Sequence, residues 1–194
     1  MVERLPLPLF AWVENRRRRS GEAAARSRRA ARAAVPLGCL SAVLGATLVW
    51  PPAPRLVWNA SASAPVGLYR VTPGARPRRG ELALIRLPHS ARDLAARRGY
   101  LPANVPAIKR VTAVAGDMVC ASRDRVSVAG YLAVARLAAD RQGRPLPRWN
   151  GCIVLAANEL FLLNPEAAGS FDSRYFGPVG GELIVGRARL LWAR

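Results

Sequence analysis

The chain has 194 residues, 51% of them hydrophobic, which suits one domain of ordinary size with an appendage. Its 16 Gly and 16 Pro argue against an all-helical bundle, and its net charge of +18 points to an anionic surface as a neighbour. It contains no zinc-finger spacing, phosphate-binding glycine loop or nucleotide fingerprint. No basic stretch is interleaved with aromatic residues either, so no metal, cofactor or nucleic acid is expected.

Residues 1–34 carry nine Arg and three Glu, a net of +6, which leaves +12 for the remainder. Residues 1–32 read as a mobile basic leader, whose Arg4–Trp12 stretch suits a bilayer surface. Residues 33–50 hold no charge, and these 18 residues fall near the lower limit for crossing a bilayer core. A run of arginines precedes the segment and Trp50 ends it, so the positive-inside rule places residues 1–32 in the cytoplasm and residues 51–194 outside. A cleaved signal peptide shares the basic start and apolar centre. The long leader and the Pro51-Pro52 exit favour a retained transmembrane anchor over that reading, and over a buried core helix.

Beyond Pro54, short apolar runs alternate with turn signals, the pattern of β structure. Strands are expected at Gly67–Val71, Glu81–Leu87, Ile108–Ala115, Met118–Ala121, Arg125–Val128, Tyr131–Ala135, Glu159–Leu163 and Leu183–Trp192. Ala91–Gly99 reads as a short helix ending at its glycine, and Arg141–Pro147 as a loop. The expected fold is mostly β, one domain pinned to a membrane by one N-terminal helix. Cys39 falls in the apolar run as a small packing residue. Cys120 and Cys152 fall in the outer part, where a disulfide persists, and the sequence leaves open whether they pair or stay free.

Of the 30 basic residues, 29 are Arg and one, Lys109, is Lys. Arginine keeps its proton in a protein, whereas a desolvated lysine becomes a neutral base. Val105, Ile108, Val111 and Val114 make the surroundings of Lys109 apolar. In a strand, Lys109 projects with Val111 and away from Ile108 and Arg110. Upstream, Ser61-Ala62-Ser63 offers nucleophiles that need such a base. The one histidine, His89, would pair with Asp93 or Asp117 in a Ser/His/Asp triad, but no Gly-x-Ser-x-Gly elbow accompanies it, and a surface loop histidine is the simpler reading.

Three segments, Ser61–Tyr69, Ile108–Val111 with Gly116-Asp117, and Phe171–Pro178, resemble the ordered boxes of the type I signal peptidases, membrane-anchored serine–lysine proteases. The resemblance covers most of residues 58–192 and implies a signal-peptidase-like β domain at 51–194. It implies Ser63 as nucleophile and Lys109 as general base. Ser61 and the Ser63 backbone N–H would form the oxyanion hole, Ser173 would orient the lysine, and Asp172 and Arg174 would support the local architecture. General signal peptidases usually carry Met after the nucleophile. Here Ser63-Ala64-Pro65 is similar instead to the TraF-type conjugal-transfer branch, as are Gly143–Pro147, Trp149–Cys152 and Glu159–Leu163. That likeness implies a prepilin substrate, cut and in some family members cyclised, at the periplasmic face of a bacterial inner membrane, with inner-membrane lipid and conjugative secretion components as neighbours. A general signal peptidase acting on exported preproteins is the second enzyme reading. Self-cleaving DNA-binding regulators share the chemistry but need a helix-turn-helix where residues 1–50 carry a basic leader and an apolar run. A non-catalytic membrane-anchored assembly factor sits poorly with an intact Ser63, Lys109 and Ser173.

Overall fold

The structure is a computed structural model that describes residues 8–49 and 52–194. The N-terminal part of the Arg4–Trp12 stretch, together with Trp50 and Pro51 at the expected membrane exit, lies outside the described residues. Helix α1, Pro8–Val49, belongs to one compact unit, and Ala53–Arg194 forms a second. From Pro8 onward the basic leader runs into the apolar stretch as one helix. Alanine and arginine are both strong helix formers, and they dominate residues 23–34. Within α1, Arg26–Val49 is long and apolar enough to cross a membrane, and none of it is buried in the protein.

The second unit is built on antiparallel strands. Its main sheet has seven strands in the order β1-β2-β11-β3-β4-β9-β10. They are β1 (Leu56–Asn59), β2 (Gly67–Pro73), β3 (Leu82–Ile85), β4 (Ala107–Ala113), β9 (Glu159–Leu163), β10 (Val179–Gly180) and β11 (Ile184–Ala193). A four-stranded sheet, β7-β6-β5-β8, joins β5 (Met118–Ala121), β6 (Arg125–Val128), β7 (Leu132–Ala135) and β8 (Gly151–Val154). Helix α2 covers His89–Arg97 and the short α3 covers Ser173–Phe176. Each expected strand appears, with its ends moved by at most two residues, and α2 starts two residues earlier than expected, directly after Pro88.

Strand β4 positions the site. It lies between β3 and β9, with Ala83 opposite Lys109 and Leu163 opposite Arg110. Both of its faces are covered. Ile108 packs with Ala64, Tyr69, Leu84 and Ala188, whereas Val111 packs with Ala83, Ile85 and Leu162 under α2. A bulge interrupts the β4–β9 register between Val111 and Ala113. The four-stranded sheet packs Val119, Val126, Val128 and Val134 against Phe161 and Leu163 of β9, so β9 is shared by two cores. Cys120 and Cys152 are register partners in β5 and β8, and a disulfide joins them. Cys39 is a free thiol, exposed on α1.

Candidate active site

Ser61 and Ser63 lie in the turn between β1 and β2, and one side chain holds that turn together. The Asn59 amide donates to the carbonyls of Ser61 (3.0 Å), Ala64 (3.1 Å) and Pro65 (3.0 Å), and its oxygen accepts from the Ser61 N–H at 3.1 Å. Tyr69 Oη donates to the Pro65 carbonyl at 2.7 Å and fixes the far end. Gly67 opens β2 at φ +158°, and a side chain there would strike the Trp192 carbonyl oxygen. Only glycine allows that close approach.

The turn sets Ser63 against the lysine. Lys109 Nζ lies 3.1 Å from Ser63 Oγ and 2.9 Å from Ser170 Oγ. Its side chain comes from the face of β4 that carries Val111, and the residue is 4% exposed. Arg110 turns the other way, to the Gly80 carbonyl. Burial pushes the Lys109 amine down from 10.5 to about 8, with Asp172 pulling it back up and Arg174 adding to the depression. The amine is therefore partly neutral near physiological pH, and a neutral amine has a lone pair for a hydroxyl proton. Ser63 is half-buried and Ser61 is exposed, so the hydroxyls face outward while the amine stays inside. Ser61 Oγ lies 3.0 Å from Ser63 Oγ, and the Ser63 N–H points at Ser61 Oγ at 3.4 Å. Two donors thus converge beside the Ser63 hydroxyl.

The expected lysine-orienting residue is corrected. Ser173 Oγ does not meet Lys109; it accepts from the Leu162 N–H at 3.1 Å. β10 pairs only with Glu159 and Leu160 of β9, so the Leu162 N–H lies past its end and takes this hydroxyl as its partner. The hydroxyl on the lysine belongs to Ser170, three residues earlier. Ser170 is 2% exposed, and its N–H is held by the Ala167 carbonyl at 2.9 Å. Two phenotypes follow. Ser170→Ala is expected to lower turnover with little change in stability. Ser173→Ala should cost about 1–3 kcal/mol of stability, since it leaves a buried N–H unpaired. Melting temperatures and cleavage rates of the two variants check this; the reverse pattern would restore Ser173 to the lysine.

Asp172 and Arg174, expected as structural support, form a fully buried two-pronged ion pair, Nε–Oδ1 and Nη2–Oδ2 both at 2.8 Å. Asp172 also caps α3 by accepting from the Arg174 N–H. The guanidinium further donates to the carbonyls of Ala135, Asn164, Ala167 and Ala168, which fixes the segment carrying Ser170. The alternative triad is dissolved. His89 is a surface residue at the start of α2, paired with Asp93 at 3.1 Å, while Asp117 is engaged by Arg79 and by the Val114 N–H. Among the described residues, no cluster of three or more metal-ligating side chains occurs.

Three contributors escaped the sequence reading: Asn59, Ser170 and Asn164. Asn59 had a readable signal, since Asn two residues before a turn hydroxyl is a common turn former. Ser170 and Asn164 had none beyond their nearness to Asp172.

The family described as "Signal peptidase, peptidase S26" matches residues 27–193. A plasmid transfer protein TraF from Escherichia coli is 38% identical over 136 residues, covering 65% of this chain and 76% of that one. A probable conjugal transfer protein TraF from Sinorhizobium fredii is 39% identical over 141 residues, covering 68% and 73%. The conjugal transfer protein TraF of Agrobacterium fabrum is 35% identical over 141 residues, covering 68% and 78%.

Proposed function

The chain belongs to the signal peptidase family, peptidase S26, and from that premise we propose that it is a membrane-bound serine endopeptidase of conjugative transfer in which Ser63 attacks and Lys109 serves as general base. The observation that carries this reading is the buried lone lysine with its amine 3.1 Å from Ser63 Oγ and 2.9 Å from Ser170 Oγ.

The steps follow from the geometry. Ser170 accepts one N–H of the neutral amine, which turns the lone pair toward Ser63. As Ser63 Oγ attacks the scissile carbonyl, its proton passes to Lys109 Nζ. The developing oxyanion takes hydrogen bonds from the Ser61 hydroxyl and from the Ser63 N–H, which gives up its long bond to Ser61 Oγ. The ammonium of Lys109 then returns the proton to the departing amine, leaving an ester on Ser63. Water attacking that ester gives hydrolysis. An amine of the substrate attacking it gives a new peptide bond and hence a ring, if the site holds the amine close and keeps water out.

The substrate proposed is a small pilin precursor, because the relatives reported above are conjugal or plasmid transfer proteins. Arg26–Val49 would anchor the enzyme in the inner membrane, with the arginine-rich end cytoplasmic and Ala53–Arg194 in the periplasm. Inner-membrane lipid and other secretion components are its proposed neighbours.

The pH profile tests the base. Lys109 acts when unprotonated, so kcat/KM should rise about tenfold per pH unit below the amine's midpoint near 8 and level off above it. A rate that is flat from about pH 6 to 9 would exclude a titrating lysine. Ser63→Ala should abolish cleavage without changing the melting temperature; cleavage that survives it would overturn the reading.

A further inference from the structure

We propose that Asn164 is the positioning residue that holds Lys109 in register with Ser63 and Ser170, an inference that rests on the peptidase reading above. Asn164 follows the last residue of β9 and is 4% exposed. Its Oδ1 accepts from the Arg110 N–H at 3.0 Å, and its Nδ2 donates to the Ile108 carbonyl at 3.5 Å. Those two backbone groups flank Lys109 and point to the same side of β4. One amide side chain thus takes the place of a strand residue just where β9 ends. On the other side of β4, Lys109 lies opposite Ala83 of β3. The backbone of the lysine is gripped from both edges.

The backbone of Asn164 reaches the other half of the site. Its N–H donates to Asp172 Oδ2 at 3.2 Å, and its carbonyl accepts from Arg174 Nη2 at 3.2 Å. The same guanidinium holds the Ala167 and Ala168 carbonyls, and Ala167 in turn holds the Ser170 N–H. A single residue therefore ties the strand bearing the base to the segment bearing the hydroxyl that orients it. The side-chain hydrogen bonds of Asn164 go to the backbone on either side of Lys109 and not to the Ser61–Ser63 turn, so it acts through Lys109 and not on the substrate. An error of about 1 Å at the reacting atoms costs on the order of a hundredfold in rate, and the loss should fall on kcat.

Because the chain has one lysine, a full chain carrying 13C- and 15N-lysine in detergent micelles gives one side-chain amine signal, and its titration reads the site directly. Asp172 and Arg174, the charged groups that act on the amine, are unchanged in the variants. Asn164→Ala is expected to lower kcat for the co-encoded pilin precursor about a hundredfold with KM unchanged, and to move the titration midpoint of Lys109 toward that of a free lysine. Asn164→Asp keeps an acceptor for the Arg110 N–H but adds a negative charge, so its midpoint should rise and its activity recover at alkaline pH. Should the alanine variant fail to fold, the aspartate variant carries the test. A folded variant with wild-type kcat and a wild-type lysine midpoint would overturn the proposal. If the lysine signal moves while Ser63→Ala cleaves as well as wild type, the clamp stands and the peptidase reading falls.

Discussion

Lys109→Arg is expected to leave the enzyme essentially without turnover, a fall of about a thousandfold, the scale of a lost general base. Arginine preserves the charge but cannot give up its proton, and its planar fork is a different shape from the ammonium that meets Ser63 and Ser170. Lys109→Met is the informative companion. Methionine is similar in length and adapts to apolar surroundings. It removes a cationic group from a nearly closed site, so it should fold at least as stably as wild type and be equally inactive. Stability kept or gained while activity vanishes is the signature of a side chain retained for chemistry and not for packing. Cleavage rates and melting temperatures of both variants, as full chains in detergent, give the result. Activity within about tenfold of wild type in either one would remove Lys109 from the base role.

The second large effect is on stability. Asp172→Ala strands the Arg174 guanidinium, 1% exposed, without its carboxylate. Breaking a buried pair from one side costs about 3–5 kcal/mol, more than the pair itself contributes, because the remaining charge stays desolvated. The Asn164 N–H and the α3 cap lose their acceptor in the same substitution. Exposed pairs such as Arg187 with Glu81, 3.4 Å apart, should matter little by comparison. Removing Arg174 as well should add much less than it does alone, because the two residues share one network. Thermal unfolding of the two single variants and the double variant measures this. Additive losses, or a loss under about 1 kcal/mol for Asp172→Ala, would mean that the pair does not hold this segment together.

Much of the framework was readable before any coordinates. The strand pattern could be read because its apolar runs are bounded by Gly, Pro and Asp turns, as at Gly116-Asp117 and Ala129-Gly130. Strands β1 and β8 could not: each is four residues long and has no fully buried position. The helix of the leader was not read from its charge, although the alanines and arginines there favour it. In the site, the isolated lysine and the paired serines were visible as residue types, and the structure brings Ser63 within hydrogen-bonding reach of both Ser61 and Lys109. The choice between Ser170 and Ser173 was not visible. It depends on where β10 ends along β9: the Leu162 N–H past that end takes the Ser173 hydroxyl, and Ser170 meets the lysine. Asn164 was hidden for a similar reason: its side-chain partners lie more than fifty residues away in sequence.

The most direct test of the central claim is the intact mass of the co-encoded small pilin precursor, recovered from cells carrying wild-type enzyme, Ser63→Ala, Lys109→Arg or no enzyme. The account predicts a shortened pilin with wild type alone, and a product lighter than that linear fragment by one water if a substrate amine resolves the ester on Ser63. The same full-length mass in all four strains would contradict the assignment of the pilin as substrate. A shortened product persisting with Ser63→Ala or Lys109→Arg would contradict the serine–lysine mechanism itself.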